Sequence, residues 1–426
     1  MSIFVGKRKA MKRIQTILAL ALICLQANAF RVEIENLSDK PKTDYPVVLD
    51  ISAYNYFTSC RVTCDGQEIP FQLDDLNLDG RYDELCFLTD LGPKERKSFD
   101  IDRTFRGPIP SYPARVYAEM VMRNDKVKEK NKQNNYVESI TARGDCANSY
   151  NLLHHHGVCF ESELNGIRIY FDKRQTLDLY GKFKKGLELQ ETQFYTSDEQ
   201  KAAGYGDDVL WVGNTFGLGA LRGFDAKTMK PTMIEPVKSR TQRIISYGPL
   251  RTIVEIIDKG WQTDSLSEPV DMTIRYTQYA GHRDTDIDVF FSHDNMINTF
   301  STGIINVKES TEFSNHEGTR ACWGTDYPST DHEKWKPETV GLAIYIPKQY
   351  ICKEFPADND NYGFAVRHED KHIHYKVAYC SANESFGYHS AQEWFDWVKE
   401  WSKEISKPTI SIAIENEGIE MKKNSR

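Results

Sequence analysis

Apolar and polar residues alternate with a period of two along most of the chain. Phe30, Val32 and Ile34, for example, alternate with Arg31 and Glu33. Successive side chains of a β-strand point to opposite faces, so this period predicts strands that bury one face. The same period, or a short apolar run rich in β-branched and aromatic residues, predicts further strands at 46–51, 60–64, 84–88, 158–164, 166–171, 242–247, 251–257, 272–276, 285–291 and 340–346.

Residues 391–405 follow a helical period instead. Apolar residues recur there at the three- and four-residue spacing that forms one face of an α-helix, at Trp394, Trp397, Val398 and Trp401. Ser390 and Glu393 have the spacing of a capping box, which marks a helix start. We therefore predict one C-terminal amphipathic helix, whose tryptophans pack into a core rather than form a platform for a ligand.

Turn residues and prolines divide the predicted strands into two domains. Residues 30–105 form a small β domain, with turns at Asp65-Gly66 and Asp79-Gly80. Residues 106–150, which contain three prolines, form a linker or transition. Residues 151–426 form the larger domain, predicted to be a large twisted antiparallel β-sandwich. The fold class is therefore predicted to be mainly β.

The first 29 residues have the order of a secretory signal peptide. A basic run at 7–13 precedes an apolar run at 14–25, and Ala27-Asn28-Ala29 supplies small residues at a cleavage site. The apolar run is shorter than the roughly 20 residues that cross a bilayer. We predict a periplasmic or secreted protein. Lipoprotein anchoring through Cys24 is the less favoured alternative, because Ile23 is not the small residue such a site needs.

Composition narrows the partners. The chain has 426 residues and a formal net charge of −8, which argues against nucleic acid as a partner. No second apolar run is long enough to span a membrane. Removal of Cys24 with the signal peptide leaves eight cysteines, so disulfides are permitted, but their pairing and the oligomeric state stay open. No C-x-x-C spacing is present, so a zinc ribbon is not expected.

Three adjacent histidines form the densest chemical cluster. In an extended segment, His154 and His156 would point to one face and His155 to the other. Two imidazoles on one side can bind a metal ion or act in proton transfer. Glu161 and Glu163 follow at once, which favours a functional reading over a surface loop. His154 and His156 are candidate catalytic residues, and His155 is a candidate substrate-binding residue.

A segment at 168–182 adds acids, bases and phenols in a hairpin-sized stretch. Tyr180 and Lys182 are the candidate catalytic residues here, because a phenol next to a cation can give or take a proton. A cross-strand ladder of ion pairs is the alternative, with no catalytic role.

Aromatic and cationic residues further along are candidates for substrate binding. The glycine-rich segment at 206–222 lacks the spacing of a dinucleotide-binding loop, and it suits a wall on which a sugar stacks. An arginine that follows a turn can bind a carboxylate in bidentate fashion. The candidates are Trp211, Tyr247, Arg251, Arg275 and His282.

An acidic loop in the small domain resembles the start of a calcium-binding loop. Asp75, Asn77 and Asp79 have the required alternation, but Cys86 stands where the bidentate glutamate is expected. An Asp/Asn-rich turn is the alternative. By default no cofactor is required, and structural calcium is an additional hypothesis.

These motifs together resemble a family of secreted Bacteroidetes proteins of unknown function that are linked to polysaccharide-utilisation gene clusters. The resemblance rests on Gln72 to Asp75, Asp83 to Leu85, His154 to Gly157, Tyr180 to Lys182, Gly213, Gly217, Gly219, Gly248 to Arg251 and the tryptophan helix. It implies a galactose-mutarotase-like sandwich and an oligosaccharide substrate. It also implies β-elimination on uronic-acid oligosaccharides, by a lyase or a dehydratase.

Two other functions remain open at this point. A glycoside hydrolase would need a pair of carboxylates, for which Glu161/Glu163, Asp207/Asp208 and Asp286/Asp288 are candidates. A non-catalytic glycan-binding protein would need the aromatic residues but not the histidines.

Overall fold

The computed structural model describes residues 29–54, 57–104, 108–129, 132, 134–262, 268–293 and 299–415. Strands make up 48% of the structure and helices 8%, which confirms the mainly β fold. The predicted signal peptide up to residue 28 and the alternative anchor Cys24 lie outside the described residues. In the part of the chain that is described, no helix is long and apolar enough to cross a bilayer.

The strands of the N-terminal part and the last strand are β1 (Ala29–Asn36), β2 (Lys42–Asp50), β3 (Ser59–Cys64), β4 (Gln67–Ile69), β5 (Phe71–Asp74), β6 (Glu84–Leu91), β7 (Arg96–Thr104) and β27 (Ile410–Glu415). The remaining strands are β8 (Val116–Glu119), β9 (Ser139–Arg143), β10 (Gly157–Ser162), β11 (Gly166–Tyr170), β12 (Leu177–Gly181), β13 (Asp207–Asp208), β14 (Arg222–Asp225), β15 (Lys230–Thr232), β16 (Ser239–Tyr247), β17 (Arg251–Trp261), β18 (Val270–Tyr279), β19 (Asp284–Phe291), β20 (Phe300–Ile305), β21 (Thr311–Ser314), β22 (Thr319–Asp326), β23 (Glu338–Tyr345), β24 (Ile351–Glu354), β25 (Asn361–Val366) and β26 (His372–Ser381).

The helices are α1 (Leu189–Thr192), α2 (Asp198–Ala202) and α3 (Ala391–Ile405), with 3-10 turns at Gly144–Asn148 and Lys348–Tyr350.

The smaller of two units contains the described residues up to Tyr112 and those from Pro408 onward. It has a five-stranded sheet in the order β27-β1-β7-β3-β4 and a three-stranded sheet in the order β2-β6-β5. Phe30, Val47 and Phe87 belong to the apolar core that joins the two sheets. The sequence pattern predicts that the C-terminal segment belongs to the large domain, whereas β27 pairs with β1 and belongs to this unit.

The larger unit runs from Pro113 to Lys407 and contains three antiparallel sheets. We call them the β8–β13 sheet (order β13-β12-β11-β10-β8), the β14–β25 sheet (order β15-β14-β20-β25-β24) and the nine-stranded sheet (order β21-β22-β23-β26-β19-β18-β17-β16-β9). The segment 106–150, which the sequence analysis treated as a linker, therefore contributes β8 and β9 to this unit.

One continuous core fills the larger unit. Phe160 of the β8–β13 sheet, Ile304 of the β14–β25 sheet and Ile287 of the nine-stranded sheet all belong to it, and none is solvent-exposed. Each buried side chain of this size contributes about 1.5–3 kcal/mol. Alternation along each strand leaves the opposite faces of the sheets free for polar side chains or for further layers.

Helix α3 forms such a layer on the nine-stranded sheet. Trp394 is completely buried and packs in one cluster with Ala343 and Ala378, which lie side by side on β23 and β26. The Ser390 side chain accepts a hydrogen bond from the backbone N–H of Glu393 and caps the helix start. The predicted helix and its bounds are confirmed, and its tryptophans form a core.

Candidate functional site

A row of polar side chains crosses the outer face of the β8–β13 sheet. Glu119, Cys159, Arg168 and Asp178 lie directly opposite one another on β8, β10, β11 and β12. Their chain neighbours, such as Ile169, point the other way into the core. The row exists because four strands, each alternating with period two, are aligned in one register.

Arg168 is the centre of this row. Its Nε and Nη2 donate to Asp178 Oδ2 at 3.0 and 2.6 Å, and Nη2 also donates to Asp208 Oδ2 at 2.9 Å. The Tyr170 hydroxyl donates to the same Asp178 oxygen at 2.6 Å. Burial, together with the negative charge of Asp178, raises the pKa of Asp208. Asp178 and Asp208 thus hold the Arg168 guanidinium in one orientation.

The histidine loop, residues 153–156, precedes β10. It is a turn rather than the extended segment expected from the sequence, and His156 has a left-handed φ of 71°. His155 points inward and is completely buried, with Nε2 3.2 Å from Glu119 Oε1. His154 and His156 both lie beside Tyr195, at ring-centroid distances of 5.6 and 6.4 Å. His154 and His156 thus lie beside the same tyrosine, while His155 is enclosed against Glu119.

The imidazole of His156 is fixed by two contacts. Its ring stacks on that of Tyr150 at 3.7 Å, and Nδ1 lies 3.2 Å from the Tyr150 carbonyl oxygen. A carbonyl can only accept, so Nδ1 carries the hydrogen and Nε2 keeps its lone pair. Burial, with the positive charge of Arg168, lowers the pKa of His156 to about 3. Burial, with the charges of His155 and Arg123, lowers the pKa of His154 to about 4.

We call Tyr150, His154, His156, Arg174 and Tyr195 the histidine–tyrosine cluster. All five side chains are partly exposed. Arg174 stacks over the Tyr150 ring at 4.9 Å. Burial raises the pKa values of the Tyr150 and Tyr195 phenols, so both keep their protons at neutral pH. Neutral imidazoles, protonated phenols and a guanidinium therefore converge on one partly exposed surface.

Gly157 allows the histidine loop to enter β10. A Cβ atom at this position would lie 1.7 Å from the backbone oxygen of Ile169 on the paired strand. Because that atom belongs to a strand, we expect Gly157→Ala to destabilise the larger unit by about 3 kcal/mol or more. Gly363→Ala is the milder control, since its Cβ would meet the Phe216 ring at 3.2 Å, the Phe355 ring at 3.5 Å and the Thr302 backbone oxygen at 3.8 Å. Thermal unfolding measures both, and equal midpoints would contradict the close approach.

Tyr180 and Lys182 have no exposed surface. The Tyr180 hydroxyl donates to the Gly206 carbonyl at 2.8 Å. Lys182 Nζ donates to Glu161 Oε2 at 2.5 Å and to the Ser162 carbonyl at 2.7 Å. Both side chains are enclosed, so the structure does not bring these candidate catalytic residues to a surface that a substrate could contact.

The predicted binding residues are dispersed over the larger unit. Trp211 and Tyr247 are exposed, on the loop after β13 and at the end of β16. Arg251 is buried, with its guanidinium 5.9 Å from the ring centroid of Tyr279.

Arg275 and His282 belong to the nine-stranded sheet and the turn before β19. Charged side chains lie opposite one another there on five successive strands, at Arg243, Glu255, Arg275, Asp288 and His374. Arg275 Nη2 lies 2.6 Å from Glu255 Oε1, and His282 Nδ1 lies 3.4 Å from Asp284 Oδ1. We call this row the charged ladder. It accounts for Arg275 by ion pairing, and His282 is paired separately with Asp284.

His374 makes the charged ladder sensitive to pH. Burial lowers its pKa, but the hydrogen bond to Asp288 and the charges of Asp286 and Asp288 outweigh burial, so the net pKa is raised. Its stabilising contribution is therefore complete below about pH 6.5, the unfolded value, and is lost as pH rises through the folded pKa. We expect His374→Gln to cost about 1 kcal/mol at low pH and less at alkaline pH.

Urea unfolding of the wild type and His374→Gln, at a pH below and a pH above this window, measures the difference. An equal loss of unfolding free energy at both pH values would contradict a protonated His374. Lys376, whose charge opposes protonation of His374, and His372 also face Asp286 and Asp288, so both are kept unchanged in the comparison.

The acidic loop of the smaller unit is a hydrogen-bonded turn. Asp75 Oδ1 accepts from the Asp79 backbone N–H at 3.1 Å, and Asp75 Oδ2 accepts from Gly80 at 2.7 Å. The Asn77 side-chain oxygen also accepts from Asp79, at 2.8 Å. This geometry accounts for the loop without a ligand, and structural calcium stays a prediction.

Several residues of the site were not singled out as candidates from the sequence. Arg168 and Tyr170 lie two residues apart on β11 and face Asp178 on β12. Their spacing could have indicated from the sequence that both side chains lie on one face of the sheet. Tyr150 and Tyr195 come from loops on either side of these strands. No local pattern marks them, and only the tertiary structure places them beside the histidines.

Two solved structures are similar to this chain, each with 10% sequence identity: a glycosyl hydrolase family 38 protein from Enterococcus faecalis, with a TM-score of 0.47, and an alpha-mannosidase from Enterococcus faecalis V583, with a TM-score of 0.45. The matches cover 91% and 92% of this chain but 47% of each of those chains, so this chain spans about half their length. No curated protein sequence matches.

The family assignment rests on most of the chain. Residues 34–410 match the family described as "Domain of unknown function (DUF4861)", which spans both units and includes the whole histidine–tyrosine cluster. The chain therefore belongs to this family.

Proposed function

We propose that the protein is a carbohydrate-active enzyme that acts on uronic-acid-containing oligosaccharides by β-elimination, as a lyase or a dehydratase. The reaction is assigned to the histidine–tyrosine cluster. The observation that carries the proposal is the orientation of His156, whose Nδ1 is held by the Tyr150 carbonyl so that Nε2 is left as a proton acceptor. A proton donor and cations stand next to it.

Elimination needs a base, an acid and a cation. The proton beside a uronate carboxylate is weakly acidic, so positive charge must first offset the carboxylate. The exposed Arg123 can supply that charge and lies near enough to influence both histidines electrostatically, whereas the charge of Arg174 is already paired with Asp172. A bound uronate carboxylate would offset the positive charge of Arg168, which lowers the pKa of His156 in the free protein, so that Nε2 can take the proton. The carbon–carbon double bond then forms, and the bond to the leaving oxygen breaks.

Tyr195 is the proposed acid for the leaving oxygen. Its hydroxyl oxygen accepts from Arg168 Nη1 at 3.3 Å, so its own hydrogen points away from the guanidinium. The phenol keeps its proton at neutral pH because burial raises its pKa. Base and acid thus come from one surface, as elimination requires.

Hydrolysis is the second candidate, because Asp178 and Asp208 contact the same nitrogen of Arg168. Retaining glycosidases hold two carboxyl groups about 5 Å apart. Asp178, however, is only 1% exposed, and its oxygens accept from Arg168, Tyr170 and the Leu179 backbone N–H. A carboxylate enclosed in this way is a poor nucleophile, which favours elimination.

The other carboxylate pairs considered from the sequence are also engaged. Glu161 is buried against Lys182, Asp207 contacts Lys201, and Asp286 contacts Lys376. These ion pairs give no reason to prefer hydrolysis.

The test incubates the purified protein with oligomers of uronic acid and measures two signals. Ultraviolet absorbance reports the unsaturated uronate, and a reducing-sugar assay reports new chain ends. Absorbance with new ends supports a lyase, and absorbance without them supports a dehydratase. New ends without absorbance would mean hydrolysis, and the absence of both signals would refute an enzyme acting on these oligomers.

A further inference from the structure

Three potential metal ligands lie close together where the histidine loop meets strands β8 and β10. Glu119 and Cys159 lie opposite each other on β8 and β10, and His155 reaches them from the loop. The relative exposure of these three residues is 2% or less. The group is separate from the partly exposed surface on which His156 and Tyr195 lie.

The three ligand atoms have the spacing of a metal site. His155 Nε2 is 3.2 Å from Glu119 Oε1 and 3.4 Å from Cys159 Sγ, and Sγ is 3.8 Å from Oε1. A tetrahedral zinc site with bonds of about 2.0–2.3 Å has ligand-to-ligand distances of about 3.3–3.6 Å. All three observed distances lie close to that range.

Hydrogen bonding alone does not explain the arrangement. Nε2 of His155 can make one hydrogen bond, yet both Glu119 Oε1 and Cys159 Sγ lie within contact distance of it. A cation between the three atoms would satisfy all of them at once, and a thiolate with a carboxylate would balance the charge of a divalent ion.

A neighbouring contact orients the carboxylate. The Tyr117 hydroxyl donates to Glu119 Oε2 at 2.8 Å, which leaves Oε1 directed at His155 and Cys159. Hydrogen bonds of this kind hold metal ligands in position. Thiolate and imidazole ligands favour zinc and related transition metals over calcium or magnesium.

We propose that Glu119, His155 and Cys159 bind one zinc-like transition-metal ion. No further His, Cys, Asp or Glu joins these three within the described residues, so water or another oxygen ligand completes the tetrahedron. The ion joins β8 and β10 to the histidine loop and thereby fixes the turn that presents His154 and His156. This proposal does not depend on β-elimination, because metal content is measured without substrate.

The test expresses the full chain in medium supplemented with zinc or cobalt and measures the metal in the purified protein. We expect about one ion per chain and, for cobalt, the absorption of a cobalt–thiolate bond. Cys159→Ser should lose both signals, whereas Cys322→Ser, which changes another buried thiol of the same unit, should keep them. Metal content in the wild type no higher than in Cys159→Ser would overturn the proposal.

A milder variant guards against misfolding. Tyr117→Phe removes only the hydrogen bond to Glu119 and should weaken metal binding by about 10- to 100-fold. The affinity is measured by competition with a chelator on the purified metal-loaded protein. If the chelator removes the ion equally well from the wild type and from Tyr117→Phe, the affinity is unchanged, and the assignment of Glu119 as a ligand is contradicted.

Discussion

His156→Asn is expected to lower kcat/KM for β-elimination by about 100- to 10,000-fold, the usual contribution of a general base. Asparagine tolerates the left-handed backbone that His156 adopts, and its amide can still donate to the Tyr150 carbonyl. The loop is therefore kept while the proton acceptor is removed. The rate of increase in ultraviolet absorbance, measured over a range of substrate concentrations, gives the effect.

A matched control separates chemistry from backbone strain. His316 also has a positive φ, of 55°, but its side chain is 81% exposed and pairs with Glu354. His316→Asn should therefore leave kcat/KM unchanged. Comparable losses in both variants, or full activity in His156→Asn, would remove His156 from the mechanism.

Tyr195→Phe tests the other half of the reaction. It removes the proton donor but keeps the ring beside His154 and His156. We expect a large loss of kcat/KM for a poor leaving group and a smaller loss for a good one, since a good leaving group needs less protonation. Equal losses for both substrates would indicate that Tyr195 only shapes the site.

Lys182→Met is expected to destabilise the larger unit by about 3–5 kcal/mol, the cost of removing one partner of a buried ion pair. Neither Lys182 nor Glu161 has exposed side-chain surface. Glu161 also accepts from the backbone N–H groups of Glu188 and Leu189, at the start of α1. The loss of Lys182 therefore leaves a carboxylate enclosed without its cation.

Urea unfolding followed by tryptophan fluorescence reports on the larger unit alone, because all seven tryptophans lie within it. Lys184→Met, two residues further along on an exposed side chain, should change the unfolding free energy little. The double variant Lys182→Met/Glu161→Gln should lose less than the sum of the two single variants. Simple additivity, or a small effect of Lys182→Met, would contradict the ion pair as a structural element.

This second prediction also separates two interpretations of Lys182. If Lys182 is a catalytic residue, its replacement reduces the activity of protein that is still folded. If Lys182 is only the structural partner of Glu161, its replacement should leave kcat/KM nearly unchanged at temperatures where the variant is folded. The enclosed position of Lys182 favours the second outcome.

The sequence by itself determined the local structure. Period-two alternation and short apolar runs located eleven of the described strands, four in the smaller unit and seven in the larger, and the spacing of Trp394, Trp397 and Trp401 gave helix α3 its bounds. The three adjacent histidines also marked the loop that the site is built around. These features are local, because side-chain direction along a strand or helix follows from backbone geometry alone.

Tertiary structure decided the rest. Arg168, Asp178 and Glu119 share one face only because β8, β10, β11 and β12 pair in one register, and pairing between strands is set by long-range packing. Burial likewise removed Tyr180 and Lys182 from the surface. Burial depends on how strands and loops pack over a side chain. The sequence shows the chemistry of a residue, but it does not show whether a substrate can reach that residue.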